Sequence, residues 1–260
     1  DMLFVGDGED DCRVISGTKA IIKNVLTQLE RAETNIAVNS AEMPVIFTPS
    51  GVGSAFMPAL VSALNGKTVL EGASPLAQKL GDPVFDEQLS ISDDAVIPWR
   101  PSSQPCDDEG VPGRRTPLVE NGRVAGFYYD LKTAARAGKQ STGNGSRGRG
   151  GAPSPALNAL TVAPGDVTFE ALLADIKEGL VVEYLMGAEQ GNVMGGDFSG
   201  NVLLGYKVEN GKIIGRVKDT VIAGNVYKLL KNITTASDAR WEGNLHTPSF
   251  FCPAVSVAAR

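Results

Sequence analysis

Two segments of the chain share one pattern that strongly constrains the fold. Residues 119–126 have the sequence VENGRVAG, and residues 208–215 have the sequence VENGKIIG. An Asn-Gly pair between alternating apolar residues is the strongest short-range signal of a β-hairpin, because both turn residues need a positive φ angle. We therefore predict two hairpins, with strands at 115–120 and 123–129 and at 201–209 and 212–218. The similarity between the two segments has two interpretations: an internal repeat, or two independent uses of the same favourable turn.

The rest of the chain alternates short helical and strand patterns. Apolar residues at helical spacing predict helices at 18–33, 53–64, 74–80, 168–178 and 225–232. Short apolar runs predict strands at 43–48, 160–162, 181–185 and 249–258. Residues 139–155 are rich in Gly, Ser and Arg and predict a mobile loop. Because strands outnumber helices and join mostly through hairpins, we predict an α+β fold with a large, mostly antiparallel, barrel-like β-sheet and flanking helices.

Polar and turn-forming residues predict where some of these helices begin and end. Ser16 is placed to cap the first helix. Asn65 and Gly66 form a candidate C-cap that would end the second helix. Ser74, followed by Pro75 at the first helical position, predicts the start of the third helix.

Charge and cysteine content exclude several classes of function. The net charge is −6 over 260 residues, which excludes a broad basic surface for nucleic acid. No apolar run approaches the ~20 residues that a membrane-spanning helix needs. Cys12, Cys106 and Cys252 lie far apart and include no CxxC pair. We therefore expect no disulfide framework, and we expect a reducing, cytoplasmic location.

The chain contains one histidine, His246. Catalytic zinc sites commonly use two or three histidines at short spacings. We therefore exclude a zinc site of the HExxH type within this chain. A site built from carboxylates alone, or a site completed by a partner, stays open.

Three adjacent carboxylates are the first candidate for a charged site. Asp107, Asp108 and Glu109 come just before the first predicted hairpin. Carboxylates grouped in this way can bind a divalent cation or the amine of a substrate, and an enzyme that uses a divalent ion here is one alternative. The other interpretation is a solvated acidic turn, which is the one that the sequence favours.

A second candidate lies among glycines further along the chain. Asp197 and Ser199 follow Gly196, and a glycine backbone lets a ligand such as a peptide approach closely. A turn or bulge that leads into the next strand accounts for the same residues. Asn225, after Gly224, is a candidate helix cap, and here a structural role is favoured.

Three stretches of the chain carry a resemblance to a known family. They are residues 107–112 with 115–122, residues 141–144, and residues 196–199 with 208–211 and 222–225. In this order and spacing they look like the TldD/PmbA family, whose members are also labelled modulators of DNA gyrase. The similarity runs from about residue 43 to the C-terminus. It implies that residues 41–260 form the family's C-terminal domain and that residues 1–40 are the remnant of an N-terminal region with a linker helix.

The resemblance also implies a type of subunit. TldD-type subunits are similar to zinc metalloproteases, with an HExxxH helix that supplies two histidines and a later cysteine as the third ligand. The helix would fall near residues 53–64, which contain neither His nor Glu, and the cysteine near residues 234–243, which contain no Cys. The chain therefore resembles the PmbA (TldE) type. Such a subunit is expected to carry no cofactor and to pair with a TldD-like, HExxxH-bearing subunit that holds zinc, or with itself.

On that resemblance the pair degrades or trims peptides, and this chain contributes no catalytic residue and no metal ligand. Eight polar residues in the matching stretches are candidates for binding the peptide or the partner. They are Asp107, Asp108, Glu109, Thr142, Asn144, Asp197, Ser199 and Asn225. The alternative is a non-proteolytic peptide-binding or scaffold protein, for example a homodimer. Nothing in the sequence resembles a DNA-binding surface, so the gyrase label finds no support here.

Overall fold

The computed structural model describes residues 3–8, 10–14 and 17–259. Its α-helices are α1 (Thr18–Arg31), α2 (Pro49–Ala55), α3 (Met57–Leu64), α4 (Gly66–Leu70), α5 (Leu131–Arg136), α6 (Phe169–Ala174) and α7 (Val226–Leu229). A short 3₁₀-helix covers Ala188–Gln190. None of the helices in the described part of the chain is long and apolar enough to cross a membrane.

Sixteen strands are found in the described residues. The first eight are β1 (Asn35–Ile36), β2 (Ala41–Phe47), β3 (Ile91–Asp94), β4 (Arg115–Glu120), β5 (Arg123–Val124), β6 (Gly145–Ser146), β7 (Ser154–Pro155) and β8 (Leu160–Val162). The others are β9 (Glu178–Met186), β10 (Asp197–Glu209), β11 (Lys212–Val217), β12 (Thr220–Asn225), β13 (Thr234–Thr235), β14 (Arg240–Glu242), β15 (Leu245–Thr247) and β16 (Phe250–Ala259).

Five of these strands close into a barrel. β10 pairs with β12, β12 with β16, β16 with β2, β2 with β9, and β9 returns to β10. Of these five pairings, β2–β9 is parallel and the other four are antiparallel. β11 and β1 extend the sheet beyond β10, and β13 adds to β16. The predicted α+β fold with a large, mostly antiparallel, barrel-like sheet is therefore confirmed.

A second sheet lies beside the barrel, with the strand order β14-β15-β8-β3-β4-β5. β15 and β8 run parallel, and the other neighbours run antiparallel. α2 contacts β9 of the barrel on one side and β14 and β15 of the second sheet on the other. The helix therefore lies between the two sheets.

Aromatic side chains tie the barrel to this helical segment. Phe47, Phe198 and Phe250 come from three different barrel strands, and all are buried. The ring of Phe56, between α2 and α3, lies 5.0 Å from the ring of Phe47, 6.0 Å from that of Phe198 and 5.6 Å from that of Phe250. Burying one such side chain contributes about 1.5–3 kcal/mol, so the cluster fixes α2 and α3 on the barrel.

Both Asn-Gly turns form as predicted. Asn121 and Gly122 have φ angles of 47° and 74°, and Asn210 and Gly211 have φ angles of 48° and 75°. The second hairpin pairs β10 with β11. In the first hairpin, β5 ends at Val124 rather than at residue 129, so the predicted second strand was too long.

The predicted helix at 53–64 is two helices. α2 begins earlier, with Pro49 in its first turn, and α3 begins anew at Met57 with Pro58 in its first turn. Proline has no N–H to donate and is tolerated in a first turn, so Pro58 favours a helix start at this point. Asn65 does follow the end of α3, but its side chain accepts a hydrogen bond from the Lys67 amide and caps α4.

The helix predicted at 74–80 is wrong, because this segment consists of turns. Ser74 Oγ accepts a hydrogen bond from the Leu76 amide, as a cap would, but it also donates one to the Ala63 carbonyl. Leu80 then forms a β-bridge with Val124. Contacts with other parts of the chain therefore hold both ends of this segment. Ser16, the predicted cap of α1, lies outside the described residues.

Candidate functional site

A cleft of about 540 Å³ opens between the barrel and the second sheet. One face of α2 and α3 forms its floor. The floor residues are Ser50, Gly53, Ser54, Met57 and Val61, which recur at helical spacing. Tyr184 of β9 lines the barrel side, and Leu157, Asn158, Leu160, Glu242, Asn244 and Leu245 line the side of the second sheet.

The floor of the cleft is held in place by close contact between α2 and β9. A Cβ atom on Gly51 would lie 2.4 Å from the Val182 carbonyl oxygen, so only glycine allows this approach. The Thr48 amide donates a 3.0 Å hydrogen bond to the same carbonyl. Ser54 Oγ accepts a 3.3 Å hydrogen bond from the Leu185 amide. The helix and the strand therefore form one rigid wall.

The residues that line the cleft do not fit a zinc ion. Its floor presents hydroxyl, thioether and aliphatic groups, whereas zinc in proteins is bound by Cys, His, Asp or Glu. Within residues 3–8, 10–14 and 17–259, no three His, Cys, Asp or Glu side chains come close enough together to hold a metal ion. The cleft of this chain therefore offers groups that bind a ligand, and these groups do not form a metal centre.

Charged residues at one end of the cleft are paired. Glu242 is the charged residue among those that line it, and its Oε1 lies 2.9 Å from Arg240 Nε. Behind it, Glu183 is buried, accepts a 3.0 Å hydrogen bond from Thr48 Oγ1 and lies 4.0 Å from Arg31. Burial raises the pKa of Glu183, although Arg240, Thr48 and Arg31 oppose the shift. The cleft itself is nearly neutral and favours a ligand without strong charge.

A buried carboxylate that the sequence analysis did not identify supports the other end of the cleft. Asp93 of β3 is 1% exposed. It accepts hydrogen bonds from Asn144 Nδ2 at 2.7 Å, from Asn158 Nδ2 at 2.9 Å and from the Asn158 amide at 2.8 Å. Burial raises the pKa of Asp93, against the effect of these hydrogen bonds. Gln104 Nε2 donates to Asn158 Oδ1, so the side chain of Asn158 is oriented from two sides.

Asn144 and Thr142, two of the predicted site residues, belong to this network. Thr142 Oγ1 accepts a 2.7 Å hydrogen bond from the Tyr129 amide and donates one to Asn144 Oδ1. Asn144 and Ser141 are buried. The first part of the segment predicted as a mobile loop is therefore anchored to the second sheet.

The three carboxylates of the first predicted site each accept a hydrogen bond from a backbone amide. Asp107 is buried, and its carboxylate accepts from the amides of Glu109, Val111 and Gly145 at 2.8 to 2.9 Å. Asp108 accepts from the Arg147 amide, and Glu109 accepts from the Leu131 amide. These residues bring the loop at 107–111 against residues 145–147. Their role in binding a peptide or a partner stays a prediction.

The remaining predicted residues lie on the barrel. Asp197 and Asn225 are opposite each other on β10 and β12, and Asn225 Nδ2 donates to Asp197 Oδ1 at 2.8 Å. Asn225 Oδ1 also accepts from the Lys228 amide, so it caps α7 as predicted. Ser199 is exposed and lines a separate surface depression with Met186. Of the eight predicted residues, Asn144 bonds to Asp93 directly and Thr142 bonds to Asn144, and none of the eight lines the cleft itself.

The fold and the cleft define an α+β protein in which a closed, mixed five-stranded barrel and a second sheet enclose a groove. The family described as "PmbA/TldA metallopeptidase C-terminal domain" matches residues 40–259. The chain belongs to this family.

Relatives and a solved structure agree with this membership. The chain is 33% identical to a metalloprotease of Methanocaldococcus jannaschii, over 72% of this chain and 41% of that protein. It is 29% identical to the metalloprotease PmbA of Escherichia coli O157:H7, over 86% of this chain and 47% of that protein. The crystal structure of TldE from Thermococcus kodakarensis matches with a TM-score of 0.84 and 28% identity, over 94% of this chain and 56% of that chain. The chain thus spans about half the length of these relatives.

Proposed function

We propose that this chain is a PmbA/TldE-type subunit of a zinc peptidase, and that its cleft holds part of an extended peptide while the zinc ion is bound by a partner. The observation that carries the proposal is the floor of the cleft. In the TldD-type subunits of the same family, this helical segment would supply an HExxxH motif. Here the same segment presents Ser, Gly, Met and Val side chains.

The shape and polarity of the cleft support a peptide as its ligand. A volume near 540 Å³ lies within the range of about 300–1,000 Å³ that is common for ligand sites. Met57, Val61 and Leu245 offer an apolar surface for a side chain, and Asn158 and Asn244 offer donors and acceptors for a main chain. β14, at the edge of the second sheet, borders the cleft. Peptides commonly add to such an edge through main-chain hydrogen bonds.

The partner in this proposal is a TldD-like, HExxxH-bearing subunit, and a second copy of this chain is the other possible partner. Zinc in the partner would lower the pKa of a bound water and so activate it for hydrolysis of an amide bond. We place the family domain at residues 41–260 and the remnant of an N-terminal region with its linker helix at residues 1–40. The family match from residue 40 supports this division. A cytoplasmic location is supported by three free cysteines.

Binding of a capped peptide to the chain alone tests the role of the cleft. The probe is a pentapeptide of Leu and Ala, acetylated and amidated, and the readout is the methyl NMR signal of Met57. We expect a saturable shift, weakened about tenfold by Tyr184→Ala, because Tyr184 is 41% exposed and lines the cleft. Trp99→Ala is the matched control, since Trp99 is an exposed aromatic residue that is not part of the cleft lining. An unchanged Met57 signal, or equal binding by the Tyr184 variant, contradicts the assignment.

A scaffold protein without a proteolytic role is the second candidate function. The paired charges and the missing metal ligands in the cleft favour binding without catalysis in this chain. The two candidates differ in whether an HExxxH-bearing relative, mixed with this chain, gains peptidase activity. If the mixture gains no peptidase activity, the scaffold function is favoured.

A further inference from the structure

A second pocket, of about 480 Å³, lies on the outer face of the second sheet. It is behind the cleft, because neighbouring residues of β8 and β15 point to opposite faces. Leu160 and Leu245 line the cleft, whereas Thr161 and His246 line the second pocket. We call this second pocket the outer pocket.

Polar side chains cross the floor of the outer pocket in one row. The register places His246 of β15 beside Thr161 of β8, and Thr161 beside Ser92 of β3. Ser92 Oγ lies 2.8 Å from Thr161 Oγ1, and Thr161 Oγ1 donates to the Ser92 carbonyl. Arg115 Nε donates a 3.1 Å hydrogen bond to Ser92 Oγ. The hydroxyl groups therefore fix the orientation of the guanidinium group.

The outer end of this guanidinium group is exposed and can pair with a ligand. Arg115 is exposed and uses Nε within the row. Among the described residues, no hydrogen bond or ion pair is found for its Nη1 and Nη2 atoms. Asp94, opposite Arg115 in the register, accepts instead from the Val96 amide at 3.0 Å. Two parallel N–H groups of arginine match the two oxygens of a carboxylate, which gives the strongest pairing that this residue makes.

The carboxylate of Glu120, opposite in charge to Arg115, borders the other end of the outer pocket. A bulge in β4, where Ile91 pairs with Val119 and Ser92 with Pro117, shifts the alternation of side chains. Glu120 is exposed and lines the pocket together with Arg115. Five residues of an extended strand span about 17 Å. A guanidinium and a carboxylate near opposite ends of one strand can meet the two ends of a short extended peptide.

We propose that the outer pocket binds short peptides with a free C-terminus, whose carboxylate pairs with Arg115 and whose amino end faces Glu120. Ser92 of β3 and Thr161 of β8, on the next two strands of the sheet after β4, offer hydrogen bonds to the peptide main chain, and His246 borders the pocket beyond them on β15. Pro117 and Pro164 add apolar lining. A peptidase releases peptides with two free ends, so the outer pocket could hold its products. That role rests on the proposed function, whereas peptide binding by the pocket does not depend on it.

The single histidine gives this pocket its own reporter. In ¹H NMR spectra of the full 260-residue chain, the imidazole signals come from His246 alone. Tetra-alanine with free ends is expected to shift these signals in a saturable way, with a Kd at or below about 1 mM. Amidation of its C-terminus is expected to weaken binding at least about tenfold, and acetylation of its N-terminus less than that, because the bidentate arginine pair is the stronger contact.

Variants then separate the outer pocket from the cleft. Arg115→Gln is expected to weaken tetra-alanine binding at least about tenfold, and Arg115→Lys to retain part of it. Arg136→Gln, at the exposed end of α5, and Tyr184→Ala, in the cleft, should leave it unchanged. Equal binding of the amidated peptide, or unchanged binding by Arg115→Gln, would overturn the proposal. An equally tight response to inorganic phosphate would overturn it as well, and so would the absence of any shift at about 10 mM peptide.

Discussion

The cleft and the outer pocket share one sheet but differ in their chemistry. On β8 and β15, Leu160 and Leu245 face the cleft, whereas Thr161 and His246 face the outer pocket. The cleft has a helical floor and paired charges, and the outer pocket has a row of hydroxyl groups that ends in Arg115. Because side chains of a strand alternate between two faces, two consecutive positions on each of two strands are enough to give one sheet two different sites. Substitutions that affect one site and spare the other test this separation.

The largest effect is expected at Gly51, which holds the floor of the cleft against the barrel. In Gly51→Ala the new Cβ would lie 2.4 Å from the Val182 carbonyl oxygen, so α2 must move away from β9. We expect a loss of about 3 kcal/mol in the free energy of unfolding, measured by urea denaturation, because overpacking against backbone is not relieved by a rotamer change.

Gly53→Ala is the matched control, two residues further along the same helix. Its Cβ would lie 3.5 Å from Leu245 Cδ2, which is an ordinary contact. Alanine is favoured over glycine in a helix by about 1 kcal/mol, so this variant should be as stable as the wild type or more stable. If both variants lose the same stability, α2 is not packed on β9 as described.

The next effect concerns Asp93, which supports the cleft from within the second sheet. Asp93→Ala leaves the side-chain amides of Asn144 and Asn158 without their buried acceptor. We expect a loss of about 2–3 kcal/mol in the free energy of unfolding. Binding of the capped pentapeptide should also weaken, since Asn158 lines the cleft.

The neighbouring residue provides the control for Asp93. Asp94 is on the same strand but accepts one amide from an exposed turn, so Asp94→Ala should cost less than about 1 kcal/mol. Peptide binding that responds equally to both variants would show that Asn158 is not oriented by Asp93.

The smallest effect is a change in the pH dependence of stability through Glu183. Burial raises the pKa of Glu183 in the folded chain above its ordinary value of 4.5. Between the unfolded and the folded pKa, the unfolded state has already lost its proton, so stability falls as the pH rises through this window. Glu183→Gln removes the titrating group and keeps its shape, so the dependence on pH in this window should disappear.

Urea denaturation at about pH 4 and about pH 7 measures this effect. The wild type should gain stability relative to Glu183→Gln at the lower pH, and exposed Glu71→Gln should show no such difference from the wild type. A gain at the higher pH would mean that Arg31 and Arg240 outweigh the cost of burial.

Local features of the molecule are predictable from its sequence, whereas pairings between distant segments are not. The hairpins at Asn121-Gly122 and Asn210-Gly211 were predicted because turn chemistry is local. Closure of the barrel through β2 and β9 joins strands that are more than 130 residues apart, and no local pattern encodes it. The position of Pro58 indicates a new helix start, so the break between α2 and α3 could be predicted from the sequence.

The candidate site was less predictable than the fold. Motif stretches indicated Thr142 and Asn144, but the residue that gathers the polar network is Asp93. Its partners Asn144 and Asn158 lie 51 and 65 residues away, so spacing gave no signal. The sequence shows that residues 53–64 contain no His and no Glu. That residues of this segment form the floor of a cleft is seen only in the structure.

We propose that this chain supplies a peptide-binding cleft and depends on a partner for zinc. The direct measurement is the zinc content and peptide cleavage of the purified chain, alone and mixed with an HExxxH-bearing relative. We expect stoichiometric zinc and cleavage to appear in the mixture and to be absent from the chain alone. Stoichiometric zinc together with cleavage in the pure chain would contradict it.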